Sequence, residues 1–186
     1  EGMSASGIDL YLIPTADFHE SEYAGEHFGV RKYMSGFTGS AGTLLVGKEK
    51  AALWADGRYF IQAERELTGS TIELMRMGEE NVPTIEKYIE DNIPENGVLG
   101  FDGRVINSTL GNKLKKAIAK KNAAIKYDKD LVDEFWTDRP ALSVKPAFFL
   151  EEKYSGRPAS DKLAFVRKTM KDEGADVFVL TSLDDL

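Results

Sequence analysis

Cysteine is missing from all 186 residues, and histidine and tryptophan occur only twice each. Without cysteine there are no disulfides, no thiolate metal ligands and no thiol nucleophile, a composition that suits a reducing cytoplasm. Long hydrophobic runs are also lacking. The stretches Ala147–Leu150 and Val177–Leu180 are strand-sized, far below the roughly 20 residues of a spanning helix, so no membrane crossing is expected. Positive charge is in deficit, with 24 Lys and Arg against 31 Asp and Glu and a net charge of −7. Such a surface repels nucleic acid and anionic lipid and points to soluble partners. The first residues, Glu1-Gly2-Met3-Ser4, carry no basic-then-apolar signal and do not begin with Met, so the N-terminus reads as cut.

What is present is enough for one sizeable core: 42% apolar and 10% aromatic residues. Ile8–Ile13 reads as a buried strand stopped by Pro14, because proline cannot extend a central strand. Ser21–Tyr33 suggests a helix capped by Ser21 and weakened by Gly25 and Gly29. Thr43–Val46 and Ala51–Trp54 flank Gly47-Lys48-Glu49-Lys50 as a hairpin. Asp56-Gly57 opens a helix to about Leu67, with Tyr59, Phe60, Ala63 and Leu67 on one face. Thr71–Met77 reads as a strand. A helix follows from the Pro83 region to Pro94, then a strand at Val98–Phe101, a helix capped by Ser108, and a strand at Ala123–Tyr127. The alternation predicts an α/β fold with a central sheet.

Thr137–Pro158 holds Pro140, Pro146, Gly156 and Pro158 and reads as a linker. Beyond it, Ser160 or Asp161 caps a helix with Leu163, Val166 and Met170 on one face. It ends at Gly174 before a strand at Asp176–Leu180. At an offset of 167 residues the chain resembles itself: Met3 and Met170, Gly7 and Gly174, Asp9 and Asp176, four apolar residues after each, then Thr15 and Ser182, Asp17 and Asp184. Many α/β units share such a helix tail, glycine cap and strand, but the length of the match favours duplication. The expected organisation is a domain over residues 1–140, a linker over 141–158, and the truncated start of a second, similar domain over 159–186.

Four features could carry chemistry. The segment Gly36-Phe37-Thr38-Gly39-Ser40-Ala41-Gly42-Thr43 could cradle an anion, but it lacks a P-loop ending and a dinucleotide spacing, and its glycines equally serve tight turns and close packing. His19 and His27, with Asp17, Glu20, Glu22 and Glu26, superficially resemble a metal cluster, though the spacing favours a hydrogen-bonded core imidazole at His27. No serine lies on a nucleophile elbow. Seven lysines in Lys113–Lys129 read as a solvated helix face and not as a nucleic-acid patch. Arg58 is expected in a first helical turn, where the dipole disfavours a cation and something must compensate. That partner is either a structural ion pair with Asp56 or a ligand carbonyl or carboxylate met by the planar guanidinium.

Three ordered motifs resemble the Xaa-Pro aminopeptidases (aminopeptidase P): Tyr11-Leu12-Ile13-Pro14-Thr15-Ala16-Asp17-Phe18-His19-Glu20-Ser21-Glu22-Tyr23; Ser35-Gly36-Phe37-Thr38-Gly39-Ser40-Ala41-Gly42-Thr43; and Trp54-Ala55-Asp56-Gly57-Arg58-Tyr59-Phe60-Ile61-Gln62-Ala63. Leu131–Pro140 and Leu180–Asp185 extend the likeness along essentially the whole chain. The resemblance, to the three-domain form, implies a creatinase-type N-terminal domain with a central mixed sheet flanked by helices, and the start of a second such domain. It implies a cytoplasmic parent that removes the residue before proline from peptides, with two manganese ions held by Asp, Asp, His, Glu and Glu in a domain absent here. The chain itself is then expected to hold no catalytic residue, no metal ligand and no cofactor, while Arg58 resembles a family residue that contacts the peptide. A homodimer of the parent is left open. Two other readings stand beside it: a non-enzymatic creatinase-like module that binds proteins, as in histone chaperones, and a relative acting on another small amide such as creatine or a dipeptide.

Overall fold

A computed structural model describes residues 1–182. The chain divides into two compact units, Glu1–Leu142 and Ser143–Leu186. The first contains α1 (Gly2–Ala5), β1 (Leu10–Pro14), α2 (Val30–Ser35), β2 (Thr43–Gly47), β3 (Ala51–Ala55), α3 (Phe60–Glu66), β4 (Ile72–Arg76), α4 (Ile85–Asn92), β5 (Val98–Phe101), α5 (Ser108–Ile118) and β6 (Ala124–Lys126). The second contains α6 (Glu152–Ser155) and α7 (Ala159–Asp172).

The six strands form one mixed sheet in the order β4-β3-β2-β1-β5-β6. Only β2 runs against its neighbours; β1 is parallel to β5, β3 to β4 and β5 to β6. The other five strands therefore end on the same edge of the sheet. Strand β1 is buried on both faces, which is why its sequence is a continuous apolar run and not an alternating one. Leu10 and Leu12 pack with Leu45, Trp54, Leu99, Phe101 and the α4 and α5 residues Ile89, Leu114 and Ile118. Tyr11 and Ile13 point the other way, into Phe37, Leu44, Leu53, Ala63 and Leu67. No helix among the described residues is long and apolar enough to cross a membrane.

Several boundaries differ from expectation for identifiable reasons. Ser21–Tyr33 is not one helix: a 3-10 turn spans Glu26–Phe28 and α2 begins only after Gly29, ending at Gly36 with φ of +72°. Ser21 caps nothing there; its amide donates to Asp17 Oδ1 at 2.9 Å in the turn after β1. The cap of α5 is Asn107 and not Ser108, since Asn107 Oδ1 accepts from the Leu110 amide at 2.8 Å. Helix α3 starts at Phe60 with Tyr59 in the cap position, so Arg58 lies in the turn before it. Helix α7 is preceded by Pro158 as its cap residue, not by Ser160 or Asp161. The expected strand at 176–180 is not formed: among the described residues of its unit there is no second strand to complete a ladder, and Val177, Phe178 and Val179 are exposed.

The two units close a helix in the same way at an offset of 167. In the first, the Ile8 amide donates to the Met3 carbonyl at 2.8 Å and Gly7 has φ of +63°. In the second, the Ala175 amide donates to the Met170 carbonyl at 2.8 Å and Gly174 has φ of +68°. Both are Schellman closures, with glycine where a side chain would be strained. The matching position Asp184 lies outside the described residues.

The segment between α2 and β2 is organised by Arg31, whose side chain is buried at 4% exposure. Its Nε donates to Thr15 Oγ1 at 2.8 Å, Nη1 to the Phe37 carbonyl at 2.7 Å, and Nη2 to the Gly39 carbonyl. The guanidinium also stands 4.7 Å over the Phe37 ring. A Cβ on Gly39 would meet that ring at 2.2 Å, so glycine there serves close packing. On the far side, Glu66 accepts from the Thr38 amide at 2.8 Å, and Ser40 Oγ and Tyr59 OH are 2.6 Å apart.

Two stability measurements follow, by urea unfolding of the isolated chain followed through tryptophan fluorescence. Asn107→Ala should cost about 1 kcal/mol, whereas Ser108→Ala should be near neutral; equal losses would contradict the cap assignment. Arg31→Met strips the Phe37 and Gly39 carbonyls and Thr15 Oγ1 of their guanidinium donor in a tight core and should cost about 3 kcal/mol or more; a loss below about 1 kcal/mol would show that the segment does not depend on it.

Candidate functional site

The loops after β1, before β2 and after β3 meet at the sheet edge where the parallel strands end. Arg58 is placed there by the turn Asp56-Gly57-Arg58. Its amide and Nε donate to Asp56 Oδ1 at 3.0 and 2.9 Å, and Nη2 donates to Asp56 Oδ2 at 2.8 Å. The side chain remains 69% exposed and stands 5.1 Å over the Tyr59 ring. The ion pair with Asp56 is thus formed, and because Arg58 precedes the helix, the anticipated dipole penalty does not arise. The same contacts hold the Asp56 carboxyl below its ordinary range, through the Arg58 side chain first and its amide second. Arg58 is in turn held more firmly protonated, chiefly by the Asp56 hydrogen bonds. Nη1 makes none of these bonds, so the guanidinium is oriented by Asp56 and still able to donate to a carbonyl or carboxylate.

In the loop after β1, Asp17 is 9% exposed and accepts from the His19 and Ser21 amides at 2.8 and 2.9 Å. Burial pushes its carboxyl upward, but the hydrogen bonds from Ser21 and His19 together outweigh this and hold it below the usual range. That is turn-building and leaves Asp17 committed.

The first three amides of the glycine-rich segment are already engaged. Its Thr38 amide is taken by the Glu66 carboxylate, its Phe37 amide by Ser35 Oγ at 3.1 Å, and its Gly36 amide by the Lys32 carbonyl at 2.8 Å. The histidines do not converge. His19 is exposed, whereas His27 Nδ1 lies 2.8 Å from the Pro140 carbonyl and its ring meets Phe28 edge-on. Among the described residues no three His, Asp or Glu side chains come together as a metal site. The lysines of 113–129 are spread over local partners: Lys120 on Glu90 at 2.7 Å, Lys121 on Glu95 at 3.5 Å, Lys126 on the Ser6 carbonyl at 2.7 Å, and Lys129 on Glu134.

Two groups escaped the sequence reading. Arg31 gives no local signal, because its partners lie up to 16 positions away and become neighbours only in the fold. The other had a signal: Asp102-Gly103-Arg104 repeats Asp56-Gly57-Arg58 after a parallel strand. Arg104 donates to Asp102 Oδ1 from its amide and Nε at 3.0 and 2.9 Å and to Oδ2 from Nη2 at 3.0 Å, nearly the Arg58 arrangement.

A family model described as the Creatinase/Prolidase N-terminal domain matches residues 1–134, and a second model of the same description matches residues 138–186. The chain is 43% identical over 183 residues to Aminopeptidase P2 of Arabidopsis thaliana, covering 97% of this chain and 26% of that protein. It is 39% identical over 180 residues to Aminopeptidase P1 of the same plant, covering 96% and 27%. Among solved structures it superposes on the X-prolyl aminopeptidase of Caenorhabditis elegans, a cytosolic enzyme with a di-nuclear active site, with a TM-score of 0.81 and 34% identity over 96% of this chain and 29% of that one. The chain thus spans about a quarter of the length of the curated relatives it matches. With a matched model over most of its length and a mixed sheet of the corresponding architecture, the chain belongs to the creatinase/prolidase N-terminal domain family.

Proposed function

We propose that this chain is the non-catalytic N-terminal part of a metal-dependent Xaa-Pro aminopeptidase, in which it narrows access to the metal centre and offers Arg58 to the peptide. Residues 1–140 are the first domain, 141–158 the linker and 159–186 the start of a second, related domain. The observation that carries the reading is Arg58: an exposed guanidinium, fixed by Asp56 on one edge, at the sheet edge where the parallel strands end. Similarity to aminopeptidases P along nearly the whole chain supports it. In this reading two manganese ions are held by a part of the parent outside this chain. Arg58 acts by hydrogen bonding and charge alone, holding a substrate carbonyl or carboxylate so that the scissile bond reaches the centre in one register.

Two experiments test this. In the full-length protein, Arg58→Ala should raise KM for Xaa-Pro peptides by roughly three- to tenfold, the range for one screened, charge-assisted contact, while the unfolding midpoint stays put. Unchanged kinetics would remove Arg58 from the substrate. The purified 186-residue chain should release no N-terminal amino acid from an Xaa-Pro peptide with or without manganese, and turnover by it would overturn the non-catalytic assignment.

A further inference from the structure

Arg104 is the second oriented guanidinium on the same edge. Strands β3 and β5 both run toward it, and each is followed at once by an Asp-Gly-Arg turn whose Asp grips the arginine through Nε and Nη2. Between the two strands lie β2 and β1, three inter-strand steps or about 14 Å. The registers Leu53↔Leu44 and Leu44↔Ile13 place Asp56 three residues further along than Asp102, which follows Phe101 opposite Leu12. That adds about 10 Å and puts the two turns roughly 17 Å apart, the span of about five extended residues.

The ground between them is the loop after β1. Phe18 lies 5.1 Å beneath the Arg104 guanidinium and packs edge-on against Phe28 at 4.7 Å. Asn107 donates to Glu20 and ties that loop to the start of α5. Arg104 is 57% exposed, and its Nη1 makes none of the bonds to Asp102. The buried carboxylate nearest it apart from Asp102, Asp130 at 3.8 Å, is already paired with Arg139 at 2.6 Å. One face is covered by an aromatic ring and one edge is fixed by Asp102, so the remaining edge of Arg104 is presented with little rotamer freedom left to lose.

We infer that Arg104 is a specificity-determining residue that binds the C-terminal carboxylate of peptide substrates extending about five residues beyond the group held by Arg58. The inference rests on the proposed peptidase reading and adds to it a length preference and a requirement for a free carboxylate. Arg58 and Arg104 then form the two ends of one extended subsite, with the Phe18 loop as its floor.

The test uses the full-length protein and a ladder of Xaa-Pro peptides of three to eight residues, each as free acid and as C-terminal amide. Arg104→Ala should raise KM by roughly three- to tenfold for free acids at the long end of the ladder, about six to eight residues, leave kcat and the tripeptide unchanged, and have no effect on the amides. Arg104→Lys, which keeps the charge but not the fork, should fall between. An equal rise for acids and amides would mean that Arg104 only supports the Asp102 turn, and no rise at any length would remove it from the substrate; either result overturns the inference. Arg58→Ala in parallel separates the two levels. If Arg58→Ala weakens the tripeptide while Arg104→Ala changes nothing, the second site alone fails; if Arg58→Ala changes nothing, the reading beneath both fails.

Discussion

The buried guanidinium of Arg31 is the constraint on which the functional edge depends. A charge this deep is costly, and burial pulls its pKa below the ordinary arginine value. It is held by two carbonyls, a hydroxyl and an aromatic face and not by a paired carboxylate, so each of these acceptors must stay where it is. Thr15 closes the end of β1, Phe37 and Gly39 lead into β2, and Thr38 is tied to Glu66 on α3. One side chain thereby fixes the relative position of two loops, and the Thr38–Glu66 bond ties them to α3. The residues at their tips can remain exposed without becoming disordered in geometry.

Strand direction does the rest of the positioning. With five of six strands ending on one edge, turns far apart in sequence are delivered to one face of the molecule, as is general where ligands meet open α/β sheets. Helices α4 and α5 occupy one side of the sheet and α3 with the Leu131–Val132 segment the other, so the two broad faces are used up by packing. Loops at the edge are what remains for recognition. They hold two arginines, each oriented by the aspartate two residues before it.

The doubled Schellman closure gives duplication a physical footing beyond residue matching. A match of Met, Gly and Asp at one offset is a pattern; the same amide-to-carbonyl bonds around glycines of similar left-handed φ are one way of ending a helix used twice. In the first unit the launched strand finds β2 and β5 on either side. In the second, residues 176–180 have the composition of a core strand and remain outside any ladder, because a strand is defined by its neighbours.

Sequence alone determined the elements whose cause is local. Strand β5 was legible to the residue, the β2–β3 hairpin nearly so, and helices α4 and α5 were expected where they form, since periodicity, proline stops and glycine caps act within about four residues. It also determined that no thiol chemistry exists here, and its motifs pointed to the family. Tertiary structure decided what depends on distant partners. Asn107 displaced Ser108 as a cap by one position, a register too fine for pattern to fix. Arg58 left the helix for the turn, where Asp56 meets it. Tyr11 reaches the Lys129 carbonyl across 118 positions, Arg31 is buried by segments that only the fold brings together, and Arg104 shares an edge with Arg58 only because β3 and β5 run the same way. Burial and convergence are properties of contacts between remote segments, and no local pattern encodes them.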